Sequence, residues 1–349
     1  GLYTYPDLLR WRYGPVAAGL AAGISAVGYL AFTGGQILAG AKLASSTVFE
    51  TAPFGWDPLT FSLLAIAGIT ILYTTTGGLK AVVYTDSVQW ALLLGGLLLV
   101  ALPLALREVG GFSGLADALP AGHFDLFALD TATAVNWLVT IVPIWFVAMT
   151  LYQRIYACRG PREAQKAWYL AGLLEYPLMA FSGVLLGMCA RVLQPGVEPE
   201  TGLPLLIGTV LPIGAAGLVA AAYFSAIMST ADSCMMAASG NVVNDVLGRT
   251  VLAGAGDRTM LRASMVVTGV IGVAAVLLAS AFQTVLEIIL HAYTFMVAGL
   301  LVPTLGVFFL KRGDATAAIG SMAGGGGTAL VLIVGGWDLP WGLEAGAAG

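Results

Sequence analysis

The stretch Ala221-Ala222-Tyr223-Phe224-Ser225-Ala226-Ile227-Met228-Ser229-Thr230-Ala231-Asp232-Ser233-Cys234-Met235-Met236 sets a carboxylate and four aliphatic hydroxyls inside an otherwise apolar run. At helical spacing, Ser225, Ser229, Asp232, Ser233, Met236 and Gly240 fall on one face. Ala220, Ile227, Ala231 and Cys234 make an opposite face that is small and apolar. If such a helix crosses a bilayer, a carboxylate at that depth needs a cation, a partner or water, which makes it a candidate functional site. The competing reading has the hydroxyls bonded back to helix carbonyls and Asp232 facing an aqueous vestibule.

Working outward from this stretch, the chain of 349 residues is 58% hydrophobic and 10% charged, with mean hydropathy +0.90. A soluble domain carries about 25% charged residues, so a soluble globule is excluded. The net charge of −4 comes with no basic cluster that would hold nucleic acid. Cys158, Cys189 and Cys234 are odd in number and lack CxxC or Cys/His spacing, so neither a disulfide framework nor a zinc site is supported. Nine apolar segments are long enough to cross about 30 Å of hydrocarbon: 14–44, 58–76, 80–106, 131–153, 166–192, 206–244, 261–281, 284–310 and 315–336. The expected partner is therefore a lipid bilayer, and 1–349 reads as a single transmembrane domain. Its opening on Gly1 and its close in Gly-Ala-Ala-Gly are expected of a fragment truncated at both ends.

Charge sets the orientation. With the Arg10/Arg12 loop in the cytoplasm, all of the 15 Lys and Arg residues lie on that side except Lys42, Arg107 and Arg191. The opposite loops are acidic, with Glu50, Asp57, Glu108, Asp117, Asp125, Asp130, Glu198 and Glu200. The expectation is a multi-pass protein of a cell inner membrane, with its N-terminal end cytoplasmic and its C-terminal end outside. Pro143, Pro177, Pro212 and Pro303 sit inside spans, where they free backbone carbonyls for a cavity or an ion.

A second polar constellation joins the second and third spans: Tyr73-Thr74-Thr75-Thr76-Gly77-Gly78-Leu79-Lys80-Ala81-Val82-Val83-Tyr84-Thr85-Asp86-Ser87-Val88-Gln89-Trp90. Gly77-Gly78 reads as a short turn, and Asp86 then lies about two turns into the third span, at a depth Asp232 could share. A hard cation takes several oxygen ligands, which hydroxyls, carboxylates and carbonyls supply. The competing reading is that Asp86 caps a helix or pairs with Lys80.

The residues Tyr-x-x-x-Gly-Gly-Leu-x-Ala-Val-x-Tyr-Thr-Asp-x-x-Gln at 73–89 and Ala-x-x-Ser-Thr-x-Asp-Ser at 226–233 resemble those of the sodium:solute symporter family. Tyr5-Pro6-Asp7 with Arg12-Tyr13-Gly14, Gln153-Arg154 with Glu163-Ala164, and Phe308 to Arg312 resemble it as well. The resemblance implies an all-α polytopic membrane protein with a leucine-transporter-like inverted-repeat fold, here partial and holding core helices three to eleven without the first two. It implies sodium as co-transported ion, a small-molecule solute as cargo, and a monomeric or loosely oligomeric state.

Residue by residue, the resemblance implies a common sodium site at Ala226, Ser229 and Thr230. A second sodium site, found in some members, is matched by Asp86, Ser229 and Ser233, with Asp232 where others often have Ser. Asp86 and Asp232 are expected to face one another around a cation. On the solute side the resemblance points to His291, ahead of Tyr293-Thr294, to Thr33 and Gln36, and to Trp145, Met149 and Tyr152. The alternative for His291 is a packed interior position bonded to Glu287, and for the aromatic and Met residues a core role. The implied function is a non-enzymatic one, sodium-coupled import by alternating access. The rivals are a channel or sensor on a transporter scaffold, and an intramembrane aspartyl protease using Asp86 and Asp232, neither of which stands in a Gly-x-Gly-Asp context.

Overall fold

Helix starts are written plainly in this chain. Proline stands in the first turn of helices beginning at Pro15, Pro58, Pro161 and Pro199, where its missing N–H costs nothing. Asp57, Asp130 and Asp314 cap the helices that follow them by accepting from the backbone N–H of Thr60, Thr133 and Thr316. The backbone N–H and hydroxyl of Thr60 hold the Asp57 carboxyl below the usual carboxylate range.

The computed structural model describes residues 2–311, 313–337 and 339, and of these not the side chains of 78–81, 83 and 176. The Lys80 side chain, with its pairing to Asp86, and Arg312 therefore lie outside the described residues. The helices are α1 Tyr5–Tyr13, α2 Pro15–Thr47, α3 Pro58–Leu94, α4 Leu102–Glu108, α5 Gly111–Ala118, α6 Thr131–Val147, α7 Met149–Ala157, α8 Pro161–Leu174, α9 Phe181–Leu193, α10 Pro199–Val210, α11 Ile213–Gly240, α12 Asp257–Ala279, α13 Val285–Phe309 and α14 Ala315–Gly335. Wider turns at Gly95–Ala101, Glu175–Ala180 and Asn241–Val246 carry α3, α8 and α11 onward. Among the described residues there is no strand, and nine helical stretches are long and apolar enough to cross a membrane.

Three local readings change. The sixth expected span, 206–244, is divided at Leu211-Pro212, because proline denies the helix an N–H and drives the preceding residue to extended backbone. The fourth is interrupted at Ala148, which is extended (φ −70, ψ 107), five residues beyond Pro143. The turn expected at Gly77-Gly78 lies within helical hydrogen bonding that runs through α3. The chain nonetheless reverses between Ile71 and Asp86. Ile66 shares the surface of Gly40 with Ile227, and Ile71 that of Gly272 with Met235, so the first arm runs along α11 in its own direction. Gly96, further on, lies against Val219 and Ala222, so the second arm runs back. A straight helix rises 1.5 Å per residue and would carry Gly96 about 45 Å from Ile66.

The centre of the molecule is α2, which packs against α3, α11, α12 and α13. Its small residues permit this: a Cβ on Gly34 would stand 3.0 Å from the Ala275 carbonyl oxygen and 3.2 Å from the Ile288 side chain. Gly34→Val is therefore expected to lose about 1–3 kcal/mol of stability by overpacking against backbone that cannot yield. A lower yield and melting temperature of detergent-solubilised protein would show it, and an unchanged melt would refute it.

The end of the bundle that holds α1 is tied by polar contacts. Thr4 opens α1 with a capping box to Asp7 and donates its hydroxyl to Asp245 at 2.9 Å, while Arg249 pairs with Asp7. The Tyr5 and Tyr13 hydroxyls reach Thr304 and the Pro303 carbonyl on α13. Read as a loop from sequence, Tyr5-Pro6-Asp7 is the start of a short helix that straps α2, α7, α13 and the Asn241–Val246 turn together.

Candidate functional site

The polar stripe of α11 meets a cavity of about 820 Å³ whose walls come from α2, the second arm of α3, the α6–α7 break, α8 and α13. Within it, the Ala226 carbonyl accepts from the Ser229 hydroxyl at 3.1 Å and from the Thr230 hydroxyl at 3.1 Å. The hydroxyls do bond back to their own helix. That bond uses each hydroxyl's proton and leaves lone pairs on Ser229 Oγ and Thr230 Oγ1, so two uncharged oxygen donors lie side by side at the cavity wall, next to the Ala226 carbonyl that both are bonded to. Such a set suits a hard monovalent cation.

Across the cavity, Arg154 on α7 donates one Nη2 to Asp86 Oδ2 at 2.9 Å and to Ser233 Oγ at 2.9 Å. Its Nη1 donates to the Thr150 carbonyl at 3.1 Å. Asp86 Oδ1 and Gln89 Oε1 are buried without a hydrogen-bond partner, so this carboxylate keeps an open coordination direction. Arg154 is a residue that sequence reasoning missed, having been placed in a loop; α7 runs through it to Ala157, which brings its guanidinium into the cavity.

Asp232 is elsewhere. It is fully buried, it does not line the cavity, and the polar group beside it is Ser233. No hydrogen bond or ion pair joins it to Asp86 or Arg154. The 100° step between successive helix positions separates it from Ser233, so it shares neither the cavity face nor a vestibule. Cys234, assigned to the apolar face, lines the cavity instead.

Of the solute-side residues, Trp145 lines the cavity. His291 stands outside the cavity lining, 3.8 Å from Glu287 and against the Phe282 ring, with its side chain 37% exposed, so it is neither bonded to Glu287 nor packed in the interior. Thr33 is fully buried and donates to the Tyr29 carbonyl, and Gln36 is half-buried outside the cavity wall. The buried Met149 sulfur accepts from the Tyr5 N–H, and Tyr152 donates to the Phe146 carbonyl and tilts against Tyr5. The wall itself is aromatic: Tyr29, Phe32, Trp90, Trp145 and Tyr293, with Phe32 stacked on Tyr293 at 5.2 Å. At the Ala148 break the Tyr29 hydroxyl accepts from the freed Thr150 N–H at 3.1 Å. Pro143 was the one sequence signal near this break, and it does not mark the residue where the helix opens.

A multi-pass helical membrane protein with an uncharged oxygen cluster and a paired carboxylate on one aromatic cavity is the class that fold and site define. The profile of the sodium:solute symporter family matches residues 1–325, and the chain belongs to that family. Sodium/glucose cotransporter 2 of Rattus norvegicus is 27% identical over 311 residues, covering 75% of this chain and 45% of the relative. The human sodium/myo-inositol cotransporter is 26% identical, with 68% and 39% covered, and the sodium/glucose cotransporter of Vibrio parahaemolyticus 27%, with 93% and 65%. The chain thus spans under half of the first two relatives. A Na+-coupled sialic acid symporter in its substrate-bound outward-open state superposes with TM-score 0.73 at 22% identity, over 99% of this chain and 74% of that one, which shows the leucine-transporter-like fold.

Proposed function

We propose that the chain is part of a sodium-coupled carrier that imports a small polar solute by alternating access, sodium binding at Ala226, Ser229 and Thr230. The observation that carries the reading is the placing of the Ser229 and Thr230 hydroxyls together, against the Ala226 carbonyl, on the wall of a cavity in a member of this family. Aromatic faces beside polar groups suit the two sides of a polyhydroxylated ring, and the relatives are named for glucose, myo-inositol and sialic acid. The end bearing Arg10, Arg12, Arg249 and Lys311 is assigned to the cytoplasm by the positive-inside rule. One sodium moving down about 100 mV and a tenfold gradient releases about 2.3 and 1.4 kcal/mol, enough to concentrate a solute roughly 500-fold.

The test is uptake by the full-length protein in liposomes, screened over hexoses, polyols, sugar acids, amino acids and carboxylates. Saturable uptake that stops when sodium is replaced by choline is expected. Flux that does not saturate would point to a channel on the same scaffold, and absence of any flux to a sensor.

A further inference from the structure

The far end of the bundle from Arg154 carries an ion-pair network around a buried lysine that no sodium or solute reading uses. Lys42, near the end of α2, is 6% exposed, and its Nζ reaches Glu198 Oε1 at 2.6 Å and Glu200 Oε2 at 2.7 Å. The other oxygen of Glu200 accepts from the backbone N–H of Val285 at 2.8 Å and of Leu286 at 3.2 Å. One carboxylate therefore neutralises a lysine of α2, caps the N-terminus of α13, and belongs to the first turn of α10. Both of its partners gain from its charge, since an anion at a helix N-terminus answers the helix dipole.

Just beyond this cap, Ile288 is 1% exposed and sits against Gly34 and Gly35 of α2. Further along, α13 gives Tyr293 and Met296 to the cavity. Among the described residues, none of 34–47, 198–211 or 285–292 lines that cavity. On α13 the cavity lining thus begins at Tyr293, and Ile288 and the network lie between it and this end of the helix.

On the reading of the chain as an alternating-access carrier, we propose that Lys42 and Glu200 are the latch of the outer side. They position α13 so that solute reaches the site from outside only after the Lys42–Glu200 pair and the Glu200 cap on α13 have separated. Glu198 is the auxiliary member, being half-exposed and bonded to Lys42 alone. A latch holds one of two populations, so weakening it must open one side at the expense of the other, whereas general loosening opens both.

The experiment uses the full chain in liposomes and two single-cysteine reporters: Ile288→Cys, under the latch, and Ala167→Cys, on the α8 wall of the cavity. Labelling by a charged maleimide is followed from each side, with the parent's own Cys158, Cys189 and Cys234 signal subtracted. Glu200→Gln and Lys42→Met are expected to speed outside labelling at 288 roughly tenfold and to slow inside labelling at 167. Glu198→Gln should do less, and Lys42→Arg should keep both rates near the parent's. Faster labelling at both reporters, or no change at either, would overturn the latch. Labelling does not need transport, so a carrier that failed the sodium-uptake screen would fail that reading without deciding this one.

Discussion

On the proposed function, Ser229→Ala with Thr230→Ala in the full-length protein is expected to raise the sodium concentration for half-maximal uptake about a hundredfold. Each hydroxyl that contacts an ion is worth on the order of 1.5 kcal/mol beyond water, and two of them make about 3 kcal/mol, or two powers of ten. Abundance should hardly change. Each hydroxyl bonds a carbonyl of its own helix, so removing it strands no partner on another element, and alanine is the better helix former. Uptake measured over a sodium series, normalised to protein by immunoblot, separates the two effects. Unchanged sodium dependence at unchanged abundance would remove Ser229 and Thr230 from the ion site.

The residues that made this site legible are those whose chemistry is local. Ser229, Thr230 and Ala226 lie within one turn of a helix, so sequence spacing alone brings them together, and hydropathy alone delimits the nine spans. What sequence could not supply was side-chain direction across elements. Asp86 and Asp232 are both carboxylates at bilayer depth, and spacing treats them as equivalent. Only the rotation of α11 shows that Ser233 faces the cavity and Asp232 faces away. Arg154 falls just past the expected span 131–153, and helix α7, which carries it into the cavity, follows a break at Ala148 that Pro143 marks only from five residues away. Breaks at proline were half legible: Pro212 divides a span, Pro303 lies within an unbroken α13, and Pro143 precedes its break by a turn and more.

That lost direction also decides what Asp86 does. The positive group at its side is a guanidinium rather than a second carboxylate's shared ion: Arg154 stands 2.9 Å from both Asp86 and Ser233, where a second sodium would need to bind. A sodium and a guanidinium nitrogen cannot hold the same two oxygens, so in this arrangement Arg154 competes with the cation.

Arg154→Gln is therefore expected to lower the sodium concentration for half-maximal uptake, the opposite direction from the Ser229/Thr230 pair. The side chains of Arg154 and Asp86 are 42% and 23% exposed, so water screens their attraction and the pair is worth about 1 kcal/mol, or roughly a fivefold shift. Glutamine removes the charge and keeps one N–H₂ donor in place of the guanidinium, and Arg154→Lys, which keeps the charge, serves as the control for lost hydrogen bonds. Asp86→Asn removes the carboxylate for which both cations compete, so adding it to Arg154→Gln should abolish the gain. Sodium-dependence curves for the two singles and the double form a cycle whose coupling measures the competition directly. Additive effects of the two substitutions would mean that Arg154 and sodium never contend for Asp86, and that the guanidinium serves only to hold α7 against α11.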